Sequence, residues 1–538
     1  MPQPPQPELM PLLLEARERE GRLDGETVER IARILRIPAS RVYGFLTQFP
    51  ELTRFPSRQP LVRVCTGPAC AARDARYLLD GLREGLRGVA EVACDPGLVQ
   101  PHRSPALVIQ MPGGEERMLQ GVTPHDLEDI ARSVRRRDLS AFPATPEDAS
   151  FPVSRYREEE PPPWLSSLQG GALPALFGGE VLQRVAQDPA AVLRLLEDAW
   201  PGLREMATGD VRAPAALVCD AVGGSPENSP DLALARSHPR AVVAGAALAA
   251  AAMGTGSLVF YVPWDRAEVA GRLRAAAEEM LPALEIGYRV FKGPVHIPCS
   301  RDIGVASVLQ GVMLWRAASL CGRDGAGRLE PAMAVLAAAS LWRLPWLLEG
   351  AAGKGEGHDR ETLLVSVPGE LPRWMELPRR LRAAEARGLL REKEDGGEPR
   401  AVFAEGVAGG ALLCGEKFAI PRGARKVTVL TDATRMARWA VHLLEGLEEG
   451  CCGGCSPGRT APAAAARMVR SMIGGEQGKR DAGELAAMLR EAEELALCPR
   501  LGEVFPALIT CLEDFPEDFR LPEEGGVRAA AKAGGKTV

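Results

Sequence analysis

Apolar positions recur at helical spacing from the start of the chain. Leu9, Leu12, Leu13 and Ala16 fall on one face, and Val28, Ile31, Leu35 and Ile37 continue the pattern, so residues 8–49 are predicted to be helical. After Pro60, Leu61-Val-Arg-Val-Cys65 alternates as a strand does. Residues 75–86 read as a helix, and 89–94 and 106–110 as short strands. Thr123-Pro124-His125-Asp126 is a helix start, with Thr at the cap and Pro in the first turn, and that helix runs to about residue 135. The order is a helical lead followed by β-α-β-β-α.

Residues 138–166 hold Pro143, Pro146, Pro152 and Pro161-Pro162-Pro163 around Glu158-Glu159-Glu160, the composition of an extended, semi-rigid linker. From 167 to 350 strands (215–219, 257–262) alternate with helices (239–252, 266–281), a doubly wound α/β pattern. Residues 360–425 carry little helix signal and short strand candidates such as 362–367. Residues 430–518 return to helix, interrupted by a Cys/Gly cluster at 451–455, and the Gly/Ala/Lys-rich 525–538 reads as a disordered tail. The fold class is therefore multidomain α/β. The expected units are 1–137, the linker 138–166, 167–350, 351–428, 429–520 and the tail 521–538.

A length of 538 residues agrees with about three or four domains. The net charge of −6 and a pI near 5.8 argue against a nucleic-acid partner, which would select a basic patch. The longest apolar run, 241–253, is Ala-rich and shorter than the ~20 residues of a bilayer span. The opening Met1-Pro-Gln-Pro-Pro-Gln-Pro has neither the basic nor the apolar region of a secretory signal. A cytoplasmic location follows as the expectation, with any membrane association made through partner subunits.

The twelve cysteines carry the most chemistry, since clustered cysteines in a cytosolic chain suggest metal sites before disulfides. Cys65-Thr-Gly-Pro-Ala-Cys70, with Cys94 downstream, sets two thiols across a Gly-Pro turn at a strand end. Thiolates are the natural ligands of a [2Fe–2S] centre, and a pair of buried thiols is the competing reading. Cys451-Cys452-Gly-Gly-Cys455-Ser-Pro-Gly458-Arg459, with Cys498 beyond, puts a Cys-x2-Cys on a glycine-rich loop able to wrap an inorganic core. A four-thiolate zinc site is the alternative there. Cys219, Cys299, Cys321, Cys414 and Cys511 stand singly and read as core residues.

Leu12-Leu-Leu-Glu-Ala-Arg, Ile37-Pro-Ala-Ser-Arg-Val-Tyr-Gly44 and Val64-Cys-Thr-Gly-Pro-Ala-Cys70 resemble the thioredoxin-like [2Fe–2S] subunit of complex I over about residues 8–137. Residues 167–515 resemble its NADH-binding flavoprotein subunit, in which NADH reduces FMN and then a [4Fe–4S] cluster. That resemblance rests on Leu217-Val-Cys-Asp-Ala-Val-Gly-Gly-Ser-Pro226, His238-Pro239 with its Ala-rich helix, His296-Ile-Pro-Cys299, and Cys452-Gly-Gly-Cys455-Ser-Pro-Gly458-Arg459 with Cys498. It implies a thioredoxin-like domain, a Rossmann-like FMN-type domain, a β-grasp domain over about 360–425 and a helical iron–sulfur domain. By the resemblance, Cys65, Cys70 and Cys94 match three [2Fe–2S] ligands. The fourth falls at Leu98 or Pro101, neither able to ligate, and His102 is the nearby substitute to weigh against a solvated loop histidine.

The departures follow the same motifs. Of the family's flavin loop only Gly202-Leu-Arg204 and Thr208-Gly209 remain, with Glu205-Met206-Ala207 between them. A phosphate cradle needs glycines for close approach of backbone N–H groups. Losing three or four such bonds, at roughly 1–2 kcal/mol each, weakens FMN by about 10²–10⁵-fold. The family's Asn-Ala-Asp-Glu-x-Glu-Pro becomes Asp220-Ala221-Val222-Gly223-Gly224-Ser225-Pro226, Arg301 stands for a family Glu beside Asp302, and Met333-Ala-Val-Leu-Ala-Ala-Ala-Ser340 lies where an Asn-Asn-x-Glu-Thr motif belongs. Gly458 replaces the third cluster cysteine, and Cys451 is the candidate replacement, giving Cys451, Cys452, Cys455 and Cys498 as a [4Fe–4S] set.

The expectation is a degenerate diaphorase-type subunit, a scaffold or iron–sulfur relay within a complex I-like, hydrogenase-like or formate-dehydrogenase-like assembly. Its [2Fe–2S] site lacks a ligand and its FMN and NAD sites are eroded. The alternative is an active NADH:acceptor oxidoreductase in which Asp220, Asp265 and Asp302 supply carboxylates and Gly202 and Gly209 part of the phosphate loop.

Overall fold

The computed structural model describes most of residues 8–142, 185–196, 203, most of 213–311, 333–348, 360–382 and 399–519, with short gaps inside these spans. Among the described residues the chain begins with α1 (Leu9–Glu20), α2 (Gly25–Leu35) and α3 (Ala39–Leu46). The Asp24 side chain caps α2 by accepting the Thr27 N–H at 3.0 Å.

Next come β1 (Leu61–Cys65), α4 (Pro68–Ala72), α5 (Ala75–Gly85), β2 (Glu91–Asp95), β3 (Ala106–Gln110), β4 (Glu116–Gln120) and α6 (Leu127–Arg136). The sheet order is β2-β1-β3-β4, with β1 parallel to β2 and antiparallel to β3. This is the thioredoxin-like unit, with one strand more than the apolar pattern shows. Strand β4 offers only Met118 and Leu119 as apolar residues, and Pro112-Gly113-Gly114 was the available sign of a hairpin. The cap at Thr123 forms as expected, with the Thr123 N–H donated to the Asp126 carboxylate at 2.7 Å.

Beyond α7 (Pro189–Leu195) the chain builds β5 (Ala216–Asp220), α8 (Pro230–Ser237), α9 (Pro239–Met253), β6 (Ser257–Pro263), α10 (Ala267–Met280), β7 (Gly287–Gly293), α11 (Arg301–Gln310), β8 (Met333–Ala337) and α12 (Ala338–Leu341). The sheet is parallel, ordered β7-β6-β5-β8. Parallel sheets need both faces covered. Helices α9 and α10 cover one face, α9 being buried nearly all round because it is apolar all round. The other face carries α11 together with the leading helices, and Met10, Leu13 and Phe45 share one core with Val218, Val259, Tyr261 and Val335. The lead, grouped by sequence with the thioredoxin-like unit that follows it, thus packs on the second sheet. Adjacency along the chain gave no sign of which sheet it would cover. Arg289 pairs with Glu8, and Arg17 lies 5.2 Å over the Trp264 ring, at this joint.

The third sheet comprises β9 (Arg360–Ser366), β10 (Arg373–Pro378), β12 (Pro399–Gly406), β13 (Gly409–Leu413) and β15 (Ala424–Thr431), ordered β10-β9-β15-β12-β13, with β9 and β15 parallel. Strands β11 (Arg380–Arg382) and β14 (Lys417–Ala419) pair separately. The described residues end in helices α13 (Met436–Gly450), α14 (Ser456–Gly474), α15 (Ala482–Glu494) and α16 (Phe505–Asp514). Asp231, fully buried, accepts from Arg425 at 2.9 Å and from the Ala339 N–H at 2.7 Å, tying β15 to the parallel sheet. Among the described residues no helix is long and apolar enough to cross a membrane.

Two glycines separate close packing from mere helix weakening. A Cβ on Gly245 of α9 would overlap the Leu341 carbonyl of α12, a backbone atom that cannot swing aside, whereas Gly271 of α10 faces open space. Gly245→Ala is expected to cost about 1–3 kcal/mol, as overpacking does. Gly271→Ala should gain about 0.5–1 kcal/mol, as at an exposed helical glycine. Thermal unfolding followed by circular dichroism should therefore shift in opposite directions.

Candidate functional site

The flavin-type site is described at one of its expected residues in full. Asp220 ends β5, in register with Tyr261 of β6 and Ala337 of β8. The chain steps from β5 to β6 and β7 on one side and to β8 on the other, so Asp220 lies where strand order reverses, the usual place of a ligand crevice. It is 3% exposed, and its carboxylate accepts the Val222 N–H at 3.0 Å. Val222, where the family carries an Asp, is fully buried in the core shared with Met10 and Leu13. Cys219 beside it is a core thiol whose pKa is pushed well up by burial, reinforced by the charges of Asp220 and Asp231. Asp302 lies in the first turn of α11, with its side chain outside the described residues, as are Gly202, Arg204, Gly209, Asp265, His296 and Cys299.

At the N-terminal motif Cys65, Cys70 and Cys94 are all buried. Cys94 pairs in register with Val64, so those two side chains share a face of the sheet and Cys65 takes the other. Packing follows this division. Val64 and Cys94 join the core under α5 and α6, while Cys65 and Cys70 form a separate cluster with Ala75, Ala106 and Val108. Among the described residues no three Cys, His, Asp or Glu side chains converge in a way that could hold a metal ion. Leu98, Pro101 and His102 lie outside the described residues.

At the C-terminal motif Cys451 caps α13, its N–H donated to the Glu448 carbonyl at 3.3 Å. Cys455 immediately precedes α14, and the Gly458 N–H donates to its sulfur at 3.4 Å. A Cβ at 458 would come within 3.1 Å of that sulfur, so the glycine leaves the room the sulfur occupies. Cys455 is half-buried at the start of this 19-residue helix, whereas Cys452 and Cys498 lie outside the described residues. Of the single cysteines, Cys511 is buried, and the half-buried Cys414 thiol is pushed up to about 12 by burial and the neighbouring Asp514. Cys299 and Cys321 are not among the described residues.

Helix α13 joins the two motifs through residues that sequence reasoning missed. It packs on α4 and α5, burying Ala71 and Ala72 in its own core. One turn apart, His442 and Glu445 face the N-terminal cysteines. His442, fully buried, donates from Nε2 to the Cys65 carbonyl at 2.9 Å. Glu445, 5% exposed, pairs with Arg76, Arg83 (3.2 Å) and Arg470. The Cys94 thiol donates to Glu445 at 3.7 Å. The available signal was a His and a Glu set three apart in the apolar stripe of Met436-Ala-Arg-Trp-Ala-Val-His-Leu-Leu-Glu445.

Burial holds the His442 pKa down to about 4, from 6.5 when unfolded. Between those values the unfolded chain binds a proton that the folded chain refuses, so stability falls as pH drops through the window. The loss amounts to on the order of 3 kcal/mol. Chemical unfolding measured between pH 7 and pH 4 should show this decline, and His442→Gln should flatten it.

Residues 2–97 match the thioredoxin-like [2Fe-2S] ferredoxin family, and residues 438–521 match the NADH-ubiquinone oxidoreductase-F iron-sulfur binding region. Comparison with curated proteins gave no match. Among solved structures, a chain of an NAD+-reducing [NiFe]-hydrogenase in the H2-reduced state superposes with a TM-score of 0.69 at 17% identity, covering 100% of this chain and 98% of that one. The air-oxidized state gives 0.69 and 17%, covering 96% and 94%. The resemblance drawn from the motifs is thus borne out: the chain carries a thioredoxin-like [2Fe–2S]-type region at one end and an NADH-ubiquinone oxidoreductase-F-type iron–sulfur region at the other, on the fold of that hydrogenase chain.

Proposed function

We propose that this chain is the diaphorase-type subunit of a larger cytoplasmic oxidoreductase, complex I-like, hydrogenase-like or formate-dehydrogenase-like, and serves there as a scaffold or iron–sulfur relay that has lost efficient FMN and NADH binding. The observation that carries the loss is Val222. The position where the family holds a carboxylate is here a fully buried apolar residue packed beneath the leading helices. The neighbouring Asp220 directs one carboxylate oxygen at its own backbone. Val222 and the self-directed Asp220 support a site poorer in carboxylates than the family's, and no step is routed through a flavin.

The relay half of the reading rests on the C-terminal motif. Cys451, Cys452, Cys455 and Cys498 would hold a [4Fe–4S] cluster, which when bound supplies one-electron transfer. The Gly458 N–H donates to the Cys455 sulfur, and α13 and α14 would position the loop between them. With no flavin, electrons would enter and leave through partner subunits. Asp220, at the strand-order reversal, is the feature that favours the alternative of an active NADH:acceptor oxidoreductase.

Ultraviolet–visible spectra of anaerobically purified protein test the reading. Broad iron–sulfur absorption without a flavin band is expected, and Cys455→Ala should bleach it. Stoichiometric flavin with turnover of NADH would establish the alternative, and unchanged iron in Cys455→Ala would remove the ligand assignment.

A further inference from the structure

We propose that Cys94 is the thiol of a buried joint centred on Glu445, and not an iron ligand, so that the N-terminal motif holds no [2Fe–2S] cluster. This deepens the relay reading by leaving the C-terminal site as its one iron centre.

Four observations converge. The register sets Cys94 and Cys65 on opposite faces of the sheet, and their side chains pack in separate clusters. The Cys94 sulfur lies 3.7 Å from the Glu445 carboxylate and donates to it. The expected position of a fourth ligand holds Leu98 or Pro101 in the sequence, neither able to ligate. Finally, Glu445 has a role that needs no metal. Arg76 and Arg83 come from α5 and Arg470 from α14, so one buried carboxylate draws the thioredoxin-like unit onto the C-terminal helices. Arg83 also donates to the Cys94 sulfur at 3.7 Å, and Arg76 is shared with Asp80 at 2.8 Å.

The joint has a consequence for the other motif. Glu445 lies six residues before Cys451 on the same helix, about 9 Å along its axis. Holding Glu445 therefore holds the root of the Cys451–Cys455 loop.

Alkylation of Cys94 by iodoacetamide, located by peptide mass spectrometry, tests this in the full chain. Labelling should be slow in the native protein and unchanged after iron is stripped with a chelator. Glu445→Gln should speed it by roughly tenfold or more, because local opening of the joint sets the rate. Cys94→Ser should keep the iron content and the reduced-state electron paramagnetic resonance spectrum of the parent. A Cys94 that becomes reactive only when iron is removed, or a [2Fe–2S] resonance that vanishes in Cys94→Ser, would overturn the proposal. So would labelling in Glu445→Gln at the native rate. Iron that survives in Cys455→Ala and also in the Cys94→Ser/Cys455→Ala double variant would instead strike the C-terminal assignment and leave this one standing, whereas iron lost only in the double variant would overturn it.

Discussion

A carboxylate removed from water must be paired, and Glu445 is paired with guanidinium groups from two other helices. Its net contribution to stability is modest, because desolvation offsets most of the attraction. Its contribution to geometry is larger. The docking of α13 brings Arg76, Arg83 and Arg470 to the same carboxylate while His442 meets the Cys65 carbonyl. That docking buries Ala71 and Ala72 against α13 and sets where the Cys451–Cys455 loop begins. The polar contacts thus select an arrangement that apolar burial then stabilises.

The same logic recurs between the other parts of the chain. Without the leading helices one face of the parallel sheet would be covered by α11 alone, and Met10 and Leu13 complete that cover. Asp231 with Arg425, and Arg400 with Asp518 at 2.8 Å, link segments far apart in sequence through buried or half-buried charges. In each case a polar pair gives register to an apolar contact that has little directionality of its own.

The motifs were readable because their chemistry is local. Cys65-Thr-Gly-Pro-Ala-Cys70 and Cys452-Gly-Gly-Cys455 need only short spacing and turn residues, and the β5 and β6 strands announce themselves as continuous apolar runs. Strand β4 was not readable, since a polar edge strand has little pattern to show and takes its conformation from pairing with β3. The loss of the carboxylate at Val222 was visible as a letter. That this residue had become core was not, because the residues covering it lie some two hundred positions earlier.

By itself the sequence determined the mixed α/β class, the order of elements and the two cysteine motifs, all set by periodicity and by neighbours a few residues apart. Only the tertiary structure decided which sheet the leading helices cover, which face of β2 carries Cys94, and that a His and a Glu near residue 445 close on cysteines near residue 65 and residue 94. The physical reason is that desolvation and ion pairing act through space, so the partner of a buried charge carries no mark of its identity in the residues around it.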